Sequence, residues 1–582
     1  MKKTLLKVGT WILCALLCLG GAFPALAATW VELGEGDSKA GQIHVTVDTD
    51  EVVSGMRATA FRIIKVNVAK ITEGEGSPSF QPAEPVYTWA PGVVDWVKEN
   101  GSDYIDADGA VTEAYINYFK QKDKPSEDPT FIEFIDKLSA AIANGDTKFK
   151  KNEDGFFDSA DPLAVSNQFG GSKDTTISGL SKGSYIVLIE GGQKIYQPSI
   201  ANLTPVWQTT DTEGVDKDGW YVDSPVSVNI KAADVSIVKT VSDTGASGSY
   251  GPAASAGIAD TVYFNIRADV PKYPKNALAK TFVISDTVSD GLAVPSTLKV
   301  FGIKGDGSAN QELTANTDYT LTIDQESRIF TVTFTDKYER VADYKQVEIT
   351  YNTTVTAQAV TGKTGNPNTA YLDYANDPYN TESKNTINSK AIVYTYGLNL
   401  TKTTDNKITP LPGAVFVLEK KTGDAWSEKP VQNNLVRFVM DESGSYHRVL
   451  SGTDASTSVI SGTEGKLLLK GLDTGEYRLQ EIKAPEGGYV VLKDYVYFTI
   501  TDTVDGDKKN TPDGILDKES ANLEDTSAVN GLIAYTIPNS KGFDLPLTGG
   551  MGTLLFTAGG IVLVVGAVVL LLVANRKKSR RS

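Results

Sequence analysis

Apolar and polar residues alternate in short runs along most of the chain, and turn-forming Gly, Asn, Asp and Ser residues separate these runs. A period of two predicts β-strands that bury one face and expose the other. Many short strands broken by turns are typical of antiparallel β-sandwiches. We therefore predict a mainly β protein built from tandem immunoglobulin-like sandwich domains.

Two stretches depart from this pattern, residues 111–120 and 131–143. Their apolar residues recur at helical spacing. In the second stretch these residues share one face: Phe131, Ile135, Leu138 and Ile142. The Asn144-Gly145 pair that follows is a typical helix stop. We predict that these helices are additions to the first β domain.

Two strand patterns look like the beginnings of new domains, one near Val235 and one near Leu398. Each follows a short linker and opens a segment with the length of a single domain. The predicted division is a leader at 1–27, an N-terminal domain at 28–231, a middle domain at 232–396, a C-terminal domain at 397–544 and a final segment at 545–582. Three consecutive sandwiches are thus expected, with added helices in the first.

The leader has the features of a secretory signal peptide. Basic residues precede an apolar run at residues 11–19, and Ala25-Leu26-Ala27 forms a small-x-small cleavage site. The apolar run is short for a membrane helix, which disfavours an uncleaved N-terminal anchor. Both cysteines, Cys14 and Cys18, lie in this leader. The mature protein is therefore predicted to be secreted and to contain no disulfide.

The final segment combines three features in a fixed order. The pentapeptide Leu545-Pro546-Leu547-Thr548-Gly549 comes first, an apolar run at residues 551–574 follows, and a basic tail comes last. The run is long enough to span a hydrocarbon layer of about 30 Å, so we predict a transmembrane helix in the precursor. The order resembles the LPxTG sorting signal of sortase substrates in Gram-positive bacteria. The resemblance implies that a sortase cysteine attacks the Thr548 carbonyl, releases Gly549 onward and passes the acyl group to an amine.

The charge and the histidine content exclude several classes of function. The formal net charge is -16, which argues against binding to nucleic acid or to anionic membranes. The only histidines, His44 and His447, are far apart in the sequence, and the predicted mature protein has no cysteine to join them. His/Cys catalytic sets and zinc sites are therefore excluded. An acidic stretch near Asp505 does not fit EF-hand spacing, so we predict no metal, no cofactor and no enzyme active site.

The first strand in each of the last two predicted domains carries a lysine on its apolar face. These strands are Val235-Ser236-Ile237-Val238-Lys239 and Leu398-Asn399-Leu400-Thr401-Lys402. Alternation directs Lys239 and Lys402 into the core, where an unpaired ammonium group is costly. Carboxylates and asparagines with the same inward parity occur later in both domains: Asp286 and Asn368 in the middle domain, Glu481 and Asn539 in the C-terminal domain. Each predicted core therefore contains a lysine, an asparagine and a carboxylate.

The string YRLQEIKAPEGGY, from Tyr477 to Tyr489, resembles the E-box of Gram-positive pilins, YxLxETxAPxGY, with Ile482 in place of the usual Thr. The pattern LPGAVF, which begins at Leu411, also resembles Cna B-type domains. In that family a buried lysine and a buried asparagine condense into an intramolecular isopeptide bond, and a buried carboxylate assists. The resemblance implies Cna B-type sandwiches in which such a bond ties the first strand to the last.

The bonds that the resemblance implies, with their assisting carboxylates, are Lys402–Asn539 with Glu481 and Lys239–Asn368 with Asp286. Burial favours the neutral amine and the neutral carboxylic acid, which makes the condensation chemically reasonable. Asn376 and Asn530 are rival acceptors, and a buried salt bridge beside an asparagine is the alternative to a bond. No bond is predicted in the first domain, because its first strand presents Ile43, Val45 and Val47 to the core and no lysine.

The string WYVDSPVSVNIK, from Trp220 to Lys231, offers a lysine that points outward. Its alternate apolar residues face inward, which leaves Lys231 on the outer face at the end of the strand. The string resembles the pilin motif WxxxVxVYPK, in which the final lysine attacks the sortase acyl-enzyme. Trp220 lies two positions further from Val226 than in the motif, and Asn229-Ile230 replaces Tyr-Pro. A solvated strand-end lysine is the alternative interpretation.

Together these features predict the structural shaft subunit of a covalent pilus, with Thr548 of one subunit joined to Lys231 of the next. The predicted partners are a pilus-class sortase, a housekeeping sortase, identical subunits in a head-to-tail polymer, minor tip and base pilins, and peptidoglycan. A host surface ligand is a further candidate, and nucleic acid is excluded. The alternatives are a singly wall-anchored or pilus-base adhesin that binds a host ligand, and an enzyme.

Overall fold

The structure is a computed structural model that describes residues 30–35, 40–47, 55–71, 79–120, 128–149, 164–502, 527–529, 531–542 and 551–578. The chain divides into two compact units. The N-terminal unit comprises Met1–Ala254, Asp260–Ala359 and Asn366–Val393, and the C-terminal unit comprises Ser255–Ala259, Val360–Gly365 and Tyr394–Ser582. The division into three domains stays a prediction.

The leading part of the N-terminal unit, up to Ala233, is a group of β-sheets. Its strands are β1 Trp30–Glu32, β2 Gly41–Val47, β3 Arg57–Ile71, β4 Ser79–Trp89, β5 Ala164–Gln168, β6 Asp174–Leu180, β7 Gly183–Glu190, β8 Ile195–Tyr196, β9 Ser199–Leu203, β10 Pro205–Gln208, β11 Gly219–Asp223, β12 Val226–Ile230 and β13 Ala232–Ala233. The sheet orders are β4-β3-β7-β9 with β5 also paired to β3, β12-β2-β6, β1-β11-β10 and β13-β8. Ile43, Val45 and Val47 of β2 are buried, which confirms the predicted core face.

Within the described residues, three α-helices are added to this part, α1 Val94–Asn100, α2 Glu113–Lys120 and α3 Pro129–Asn144. α3 begins at a cap in which the Asp128 carboxylate accepts hydrogen bonds from the backbone N–H groups of Thr130 and Phe131, at 2.8 and 3.1 Å. It ends at Gly145, whose φ of 82° suits glycine. Both predicted helices are confirmed to within about two residues. α1 lies outside the predicted helices, because its short span buries only Val97 and gives no apolar period.

The middle part of the N-terminal unit is a two-sheet sandwich. Its elements are β14 Ile237–Ser242, β15 Ala253–Ser255, β16 Thr261–Asp269, β17 Phe282–Val288, β18 Lys299–Ile303, β19 Gln311–Glu312, β20 Thr320–Asp324, β21 Ile329–Thr333, α4 Tyr338–Val341, β22 Gln346–Thr354, β23 Asn366–Tyr374 and β24 Asn385–Tyr394. One sheet has the order β14-β16-β22-β18-β19, and the other contains β24-β23-β17-β21-β20. Phe264 and Ile266 of β16 and Phe282 and Ile284 of β17 are buried at alternate positions, as expected for sheets packed face to face.

The leading and middle parts are joined through a buried carboxylate on α3. Asp136 Oδ2 accepts hydrogen bonds from the backbone and side-chain nitrogens of Asn276, both at 2.8 Å. Asp136 Oδ1 accepts a hydrogen bond from the Tyr379 hydroxyl at 2.8 Å. Because these bonds are directional and shielded from water, they fix the helix against the sandwich.

The C-terminal unit is a second sandwich. Its strands are β25 Tyr396–Thr404, β26 Val415–Lys420, β27 Arg437–Met440, β28 Tyr446–Val449, β29 Ser458–Ile460, β30 Lys466–Leu472, β31 Gly475–Lys483, β32 Val496–Ile500, β33 Ser527–Val529 and β34 Leu532–Asn539. The sheet orders are β27-β28-β30-β25-β34-β33 and β29-β26-β31-β32. The neighbours β25 and β34 are parallel. These sandwiches confirm the predicted mainly β fold class.

A final helix, α5, spans Met551–Lys578. Within the described residues, no helix is long and apolar enough to cross a membrane. The transmembrane helix of the precursor therefore stays a prediction. The predicted signal peptide at 1–27 and the pentapeptide at 545–549 lie outside the described residues.

Candidate functional site: two buried lysine sets and an exposed lysine

The middle part buries the first predicted set of residues between its two sheets. Lys239 lies on β14, Asp286 on β17 and Asn368 on β23. Lys239 is 1% exposed, and the other two side chains are completely buried. Asn368 pairs with Val288 and Asp286 pairs with Ala370 across β17 and β23, so the two polar residues are diagonal neighbours on one face. The fold thus brings together the set that strand alternation predicts.

The contacts of this middle set converge on one tyrosine. Lys239 Nζ donates hydrogen bonds to Asp286 Oδ2 and, at 2.8 Å, to the Tyr351 hydroxyl oxygen. Asn368 Nδ2 donates to the same hydroxyl oxygen at 2.6 Å. The Tyr351 hydroxyl in turn donates to Asp286 Oδ2 at 3.3 Å. The amine and the amide are therefore connected through Tyr351 and the carboxyl group.

Burial shifts both ionisable partners of the middle set toward their neutral forms. It lowers the pKa of Lys239 to about 8, although the nearby Asp286 opposes this shift. It also raises the pKa of Asp286, against the opposing effects of Lys239 and Tyr351. Both shifts are toward the protonation states that amide formation needs, a neutral amine beside a carboxylic acid.

Tyr351 is a member of this site that the sequence does not single out. It lies on β22 and is buried. An inward tyrosine on a strand is usually an ordinary core residue, because its ring is largely apolar. The available signal is its position between Ile349 and Thr353 in the buried register of β22. That register indicates that the Tyr351 side chain faces the core, but it does not indicate which groups the hydroxyl contacts.

The C-terminal unit buries the second predicted set. Lys402 lies on β25, Glu481 on β31 and Asn539 on β34, and all three side chains are buried. Lys402 Nζ donates to Asn539 Oδ1 at 2.5 Å and to the Ile537 carbonyl oxygen at 3.0 Å. Asn539 Nδ2 donates to Glu481 Oε1 and Oε2 at 3.1 and 3.0 Å. The amine therefore contacts the amide oxygen directly, while the carboxylate holds the amide nitrogen.

The environment of Lys402 also favours its neutral form. Burial lowers the pKa of Lys402 to about 8, despite the opposing charge of Glu481. Glu481 Oε1 lies 4.0 Å from Lys402 Nζ, and Glu481 Oε2 accepts a hydrogen bond from the Leu492 backbone at 2.8 Å. The carboxylate is thus oriented toward the amide by hydrogen bonds, and the amine is left facing the amide oxygen.

The two sets connect their strands differently. In the C-terminal sandwich β25 and β34 are the first and last strands, and Lys402 lies opposite Ile537 in the parallel pair. In the middle part Asn368 lies on β23, and β24 follows it. The expectation that the bond ties the first strand to the last is therefore wrong for the middle part. A Lys239–Asn368 bond there would connect the two sheets of the sandwich.

The rival asparagines do not enter either set within the described residues. Asn376 Nδ2 donates to the Gly192 carbonyl oxygen at 2.6 Å, and Asn376 Oδ1 accepts a hydrogen bond from Ser383 Oγ at 2.8 Å. These contacts engage both ends of the Asn376 amide. Asn530 lies outside the described residues. The contacts therefore favour Asn368 in the middle set and Asn539 in the C-terminal set.

A buried ion pair in the C-terminal unit provides a comparison for the salt-bridge alternative. Arg478 Nε donates to Glu419 Oε2 at 2.5 Å, and Glu419 Oε1 accepts a hydrogen bond from the Val431 backbone at 2.9 Å. Both oxygens of that carboxylate are therefore satisfied. In the middle set, Asp286 Oδ1 and Asn368 Oδ1 are buried and have no hydrogen-bond partner among the described residues. The middle set thus lacks the complete pairing of a stable buried salt bridge.

Lys231 lies directly after β12, on the surface of the leading part. Val228 and Ile230 are buried and Lys231 is exposed, as alternation predicts. The Lys231 carbonyl oxygen accepts a hydrogen bond from the Gln197 backbone at 3.2 Å. The next residues form β13, which pairs with β8. The backbone on both sides of the lysine is therefore held in sheets while its side chain is exposed.

Three segments of the chain match protein-family models. Residues 258–378 match the Gram-positive pilin backbone subunit 2, Cna-B-like domain. Residues 397–512 match the SpaA prealbumin-like fold domain, and residues 537–580 match the LPXTG cell wall anchor motif. The first match contains Asp286 and Asn368, and the second contains Lys402 and Glu481.

A curated relative is the trypsin-resistant surface T6 protein of Streptococcus pyogenes serotype M6, which is 27% identical over 381 residues. That match covers 54% of this chain and 64% of the relative, so it spans less than two thirds of the relative's length. The solved T6 backbone pilin of serotype M6 S. pyogenes is 19% identical, with a TM-score of 0.51 and coverage of 88% of this chain and 100% of that chain. The major pilin SpaD of Corynebacterium diphtheriae is 15% identical, with a TM-score of 0.45 and coverage of 87% and 98%.

These comparisons bear on the fold of the chain and on its location. The similarity to the T6 backbone pilin structure supports the three-dimensional fold. The anchor match indicates a cell-wall-anchored surface protein. The matched families are structural rather than enzymatic, in agreement with the predicted absence of an enzyme activity. One chain thus combines segments similar to a Gram-positive pilin backbone domain, a prealbumin-like domain and an LPXTG cell wall anchor.

Proposed function

We propose that this protein is the structural shaft subunit of a covalently polymerised, cell-wall-anchored pilus used in adhesion. The observation that carries the proposal is an exposed lysine, Lys231, at the end of a half-buried strand in a chain with an LPXTG anchor match. Exposure gives an acyl-enzyme access to the amine, and the paired backbone on both sides limits the entropy lost when the amine is positioned. The exposed side chain and the fixed backbone both suit a lysine that becomes joined to another subunit.

The proposed joining reaction uses one residue from each of two subunits. A pilus-class sortase holds Thr548 of one subunit as a thioester on its cysteine, with Gly549 onward released. The neutral Lys231 amine of the next subunit attacks the thioester carbonyl, an amide bond forms, and the sortase cysteine leaves as a thiol. A housekeeping sortase then transfers the last Thr548 to peptidoglycan, and minor tip and base pilins complete the fibre.

The experiment that tests this proposal is peptide mapping of native fibres. Fibres released from the cell wall by a muralytic enzyme are digested, and branched peptides are sequenced by mass spectrometry. We expect a branched peptide that joins the Thr548 carbonyl to Lys231 Nζ. If Thr548 is found only on peptidoglycan stem peptides, the protein is instead a singly anchored or pilus-base adhesin.

We also propose that the two buried sets form internal isopeptide bonds. The pKa values of about 8 for Lys239 and Lys402 support this proposal, because a useful fraction of each amine is neutral near pH 7.5. Each condensation joins Nζ to the asparagine Cγ and releases the Nδ2 nitrogen as ammonia. The two amide bonds would serve in place of disulfides, since the predicted mature protein has no cysteine.

Mass spectrometry of the purified chain gives a direct prediction for these bonds. The mass should be lower than the sequence mass by two ammonia molecules, about 17 Da each. The Asp286→Ala and Glu481→Ala variants should each lie below their own sequence mass by only one ammonia molecule, about 17 Da. Each variant lacks the carboxyl group that assists one of the two bonds. A wild-type chain at the full sequence mass would contradict both bonds.

The name of the curated relative describes a trypsin-resistant surface protein. The proposed crosslinks offer a physical reason to extend that property to this chain. Trypsin cuts chains that open locally, and a crosslink lowers the population of open states by limiting how far the strands can separate. The sandwich regions enclosed by the two bonds should therefore resist trypsin.

A further inference from the structure

We propose that Tyr351 is a catalytic residue of the middle isopeptide bond, where its hydroxyl carries a proton from the lysine amine to the leaving amide nitrogen. The inference deepens the proposed function and rests on it, because it requires the Lys239–Asn368 bond. The Tyr351 hydroxyl would thus perform a proton transfer that neither the amine nor the amide can perform alone.

The position of the Tyr351 hydroxyl supports this role. Its oxygen is 2.8 Å from Lys239 Nζ and 2.6 Å from Asn368 Nδ2, so it bridges the nucleophile and the leaving group. Asp286 Oδ2 contacts Lys239 Nζ and lies 3.3 Å from the same hydroxyl oxygen. Both distances from the hydroxyl oxygen to the reacting nitrogens are within the range over which a side chain transfers a proton directly.

The reaction can be written so that every proton is accounted for. Lys239 first gives one proton to the Asp286 carboxylate, which leaves a neutral amine and a carboxylic acid. Nζ then attacks Asn368 Cγ, and the tetrahedral intermediate has an excess proton on Nζ and a negative charge on Oδ1. At that stage Nδ2 is no longer conjugated with the carbonyl group, so its lone pair can accept a proton.

Tyr351 then takes the excess proton from Nζ and gives its own hydroxyl proton to Nδ2. The bond between Cγ and Nδ2 breaks, ammonia leaves, and the carbonyl group re-forms as part of the new amide. Tyr351 and Asp286 end the step in the protonation states in which they began it. The burial of Tyr351 raises its pKa well above the ordinary value, so the tyrosine stays neutral and exchanges one proton for another.

Aromatic packing holds the hydroxyl in place for this exchange. The Tyr351 ring stacks on Phe264 at a centroid distance of 5.3 Å and meets the edge of Phe330 at 5.2 Å. A ring fixed on two sides has little rotational freedom, so the hydroxyl needs little reorganisation during the reaction. Lys239 Nζ lies 4.9 Å from the centroid of Phe264, so the same ring also borders the amine.

The C-terminal set shows what differs in the middle set. There Asn539 Nδ2 donates hydrogen bonds directly to Glu481, so no hydroxyl lies between the carboxyl group and the leaving nitrogen. In the middle set the carboxyl group contacts the amine, and the Tyr351 hydroxyl contacts the leaving nitrogen. The C-terminal bond therefore provides an internal control within the same molecule.

The test measures how fast each bond forms in the full chain. The chain is made by cell-free synthesis, samples are quenched in denaturant at intervals, and the two crosslinked peptides are quantified by mass spectrometry. Replacing Tyr351 by phenylalanine should slow the middle bond by about 100-fold or more, the usual contribution of a positioned acid–base group. The rate of the Lys402–Asn539 bond should stay unchanged.

A matched variant shows whether slow bond formation comes from losing the proton relay or from losing any buried tyrosine hydroxyl in the middle part. Tyr338 is also buried in the middle part, and its hydroxyl donates to the Pro271 carbonyl oxygen at 2.6 Å. The Tyr338→Phe variant should form the middle bond at the wild-type rate. A brief hydrogen-exchange pulse at each time point reports whether the backbone amides of the middle part are protected by folding, so bond formation is counted only in folded chains.

Four results are possible, and each has a stated meaning. A Tyr351→Phe variant that forms the middle bond at the wild-type rate would overturn the relay, and so would a delay that only follows delayed folding. A wild-type chain that never forms the middle bond would overturn the proposed bond itself, whatever the variant does. Slow bonding in folded Tyr351→Phe, with a normal C-terminal bond, would support the relay.

Discussion

Replacing Lys231 by arginine should abolish covalent polymerisation, so that the high-molecular-weight ladder of cell-wall extracts collapses to the monomer on a denaturing gel. Arginine keeps the positive charge and much of the length of lysine, so recognition of the surface should change little. Its guanidinium group stays protonated near neutral pH and is a poor nucleophile toward a thioester. The loss should therefore be nearly complete, because each subunit would lack its acceptor amine.

The control for this experiment is another exposed lysine of the leading part. Lys217 forms an exposed ion pair with Glu32, with 2.7 Å between Nζ and Oε1. The Lys217→Arg variant should give an undiminished ladder, because its amine lies outside the strand-end context of Lys231. A full ladder from the Lys231→Arg variant would move the linkage to a different lysine and contradict the proposed assignment.

Replacing Lys402 by methionine should produce the largest loss of stability, because it removes the proposed bond across β25 and β34. Methionine fills a similar volume without a charge. By analogy with disulfides, a crosslink that closes a loop of this length contributes about 5 kcal/mol. The melting temperature of the C-terminal unit should fall by roughly 10–20 °C in calorimetry of the full chain.

Lys466 on β30 offers a matched control in the same sheet. Its side chain is exposed, and its Nζ lies 3.1 Å from Glu464 Oε2. The Lys466→Met variant should change stability by no more than about 0.5 kcal/mol, as is usual for surface substitutions. An unchanged melting temperature in Lys402→Met would show that no stabilising crosslink depends on that amine.

The sequence was sufficient to predict the lysine, the carboxylate and the asparagine of both buried sets. Strand alternation assigns Lys239 and Lys402 to the core because a period of two fixes which face each side chain occupies. The same argument finds Asp286 and Asn368, although they lie far from Lys239 in the sequence. Burial then explains why each buried lysine has a carboxyl group nearby, since an isolated charge in a core is costly.

The sequence could not predict which strands become neighbours. The parallel pairing of β25 with β34 depends on contacts between residues distant in the chain, and no local pattern encodes it. The position of Asn368 on β23 rather than on the final strand is a detail of the same kind. The role of Tyr351 could not be predicted from the sequence either, because it depends on the distance of the hydroxyl from two nitrogens and not on the register of β22.

The strand order around Asn368 has a mechanical consequence for a fibre under tension. With the Lys239–Asn368 bond in place, the pulling force bypasses the strands between those residues, but β24 lies beyond Asn368 and stays in the path of the force. β24 is antiparallel to β23, and Ala391 pairs with Asn368. Force applied between Asn368 and the C-terminal end of β24 would separate β23 from β24 one hydrogen bond at a time, each worth about 1 kcal/mol. The subunit would then lengthen by about 3.4 Å per released residue and stop at the next covalent bond, so β24 would act as an extension of fixed maximum length that absorbs sudden loads.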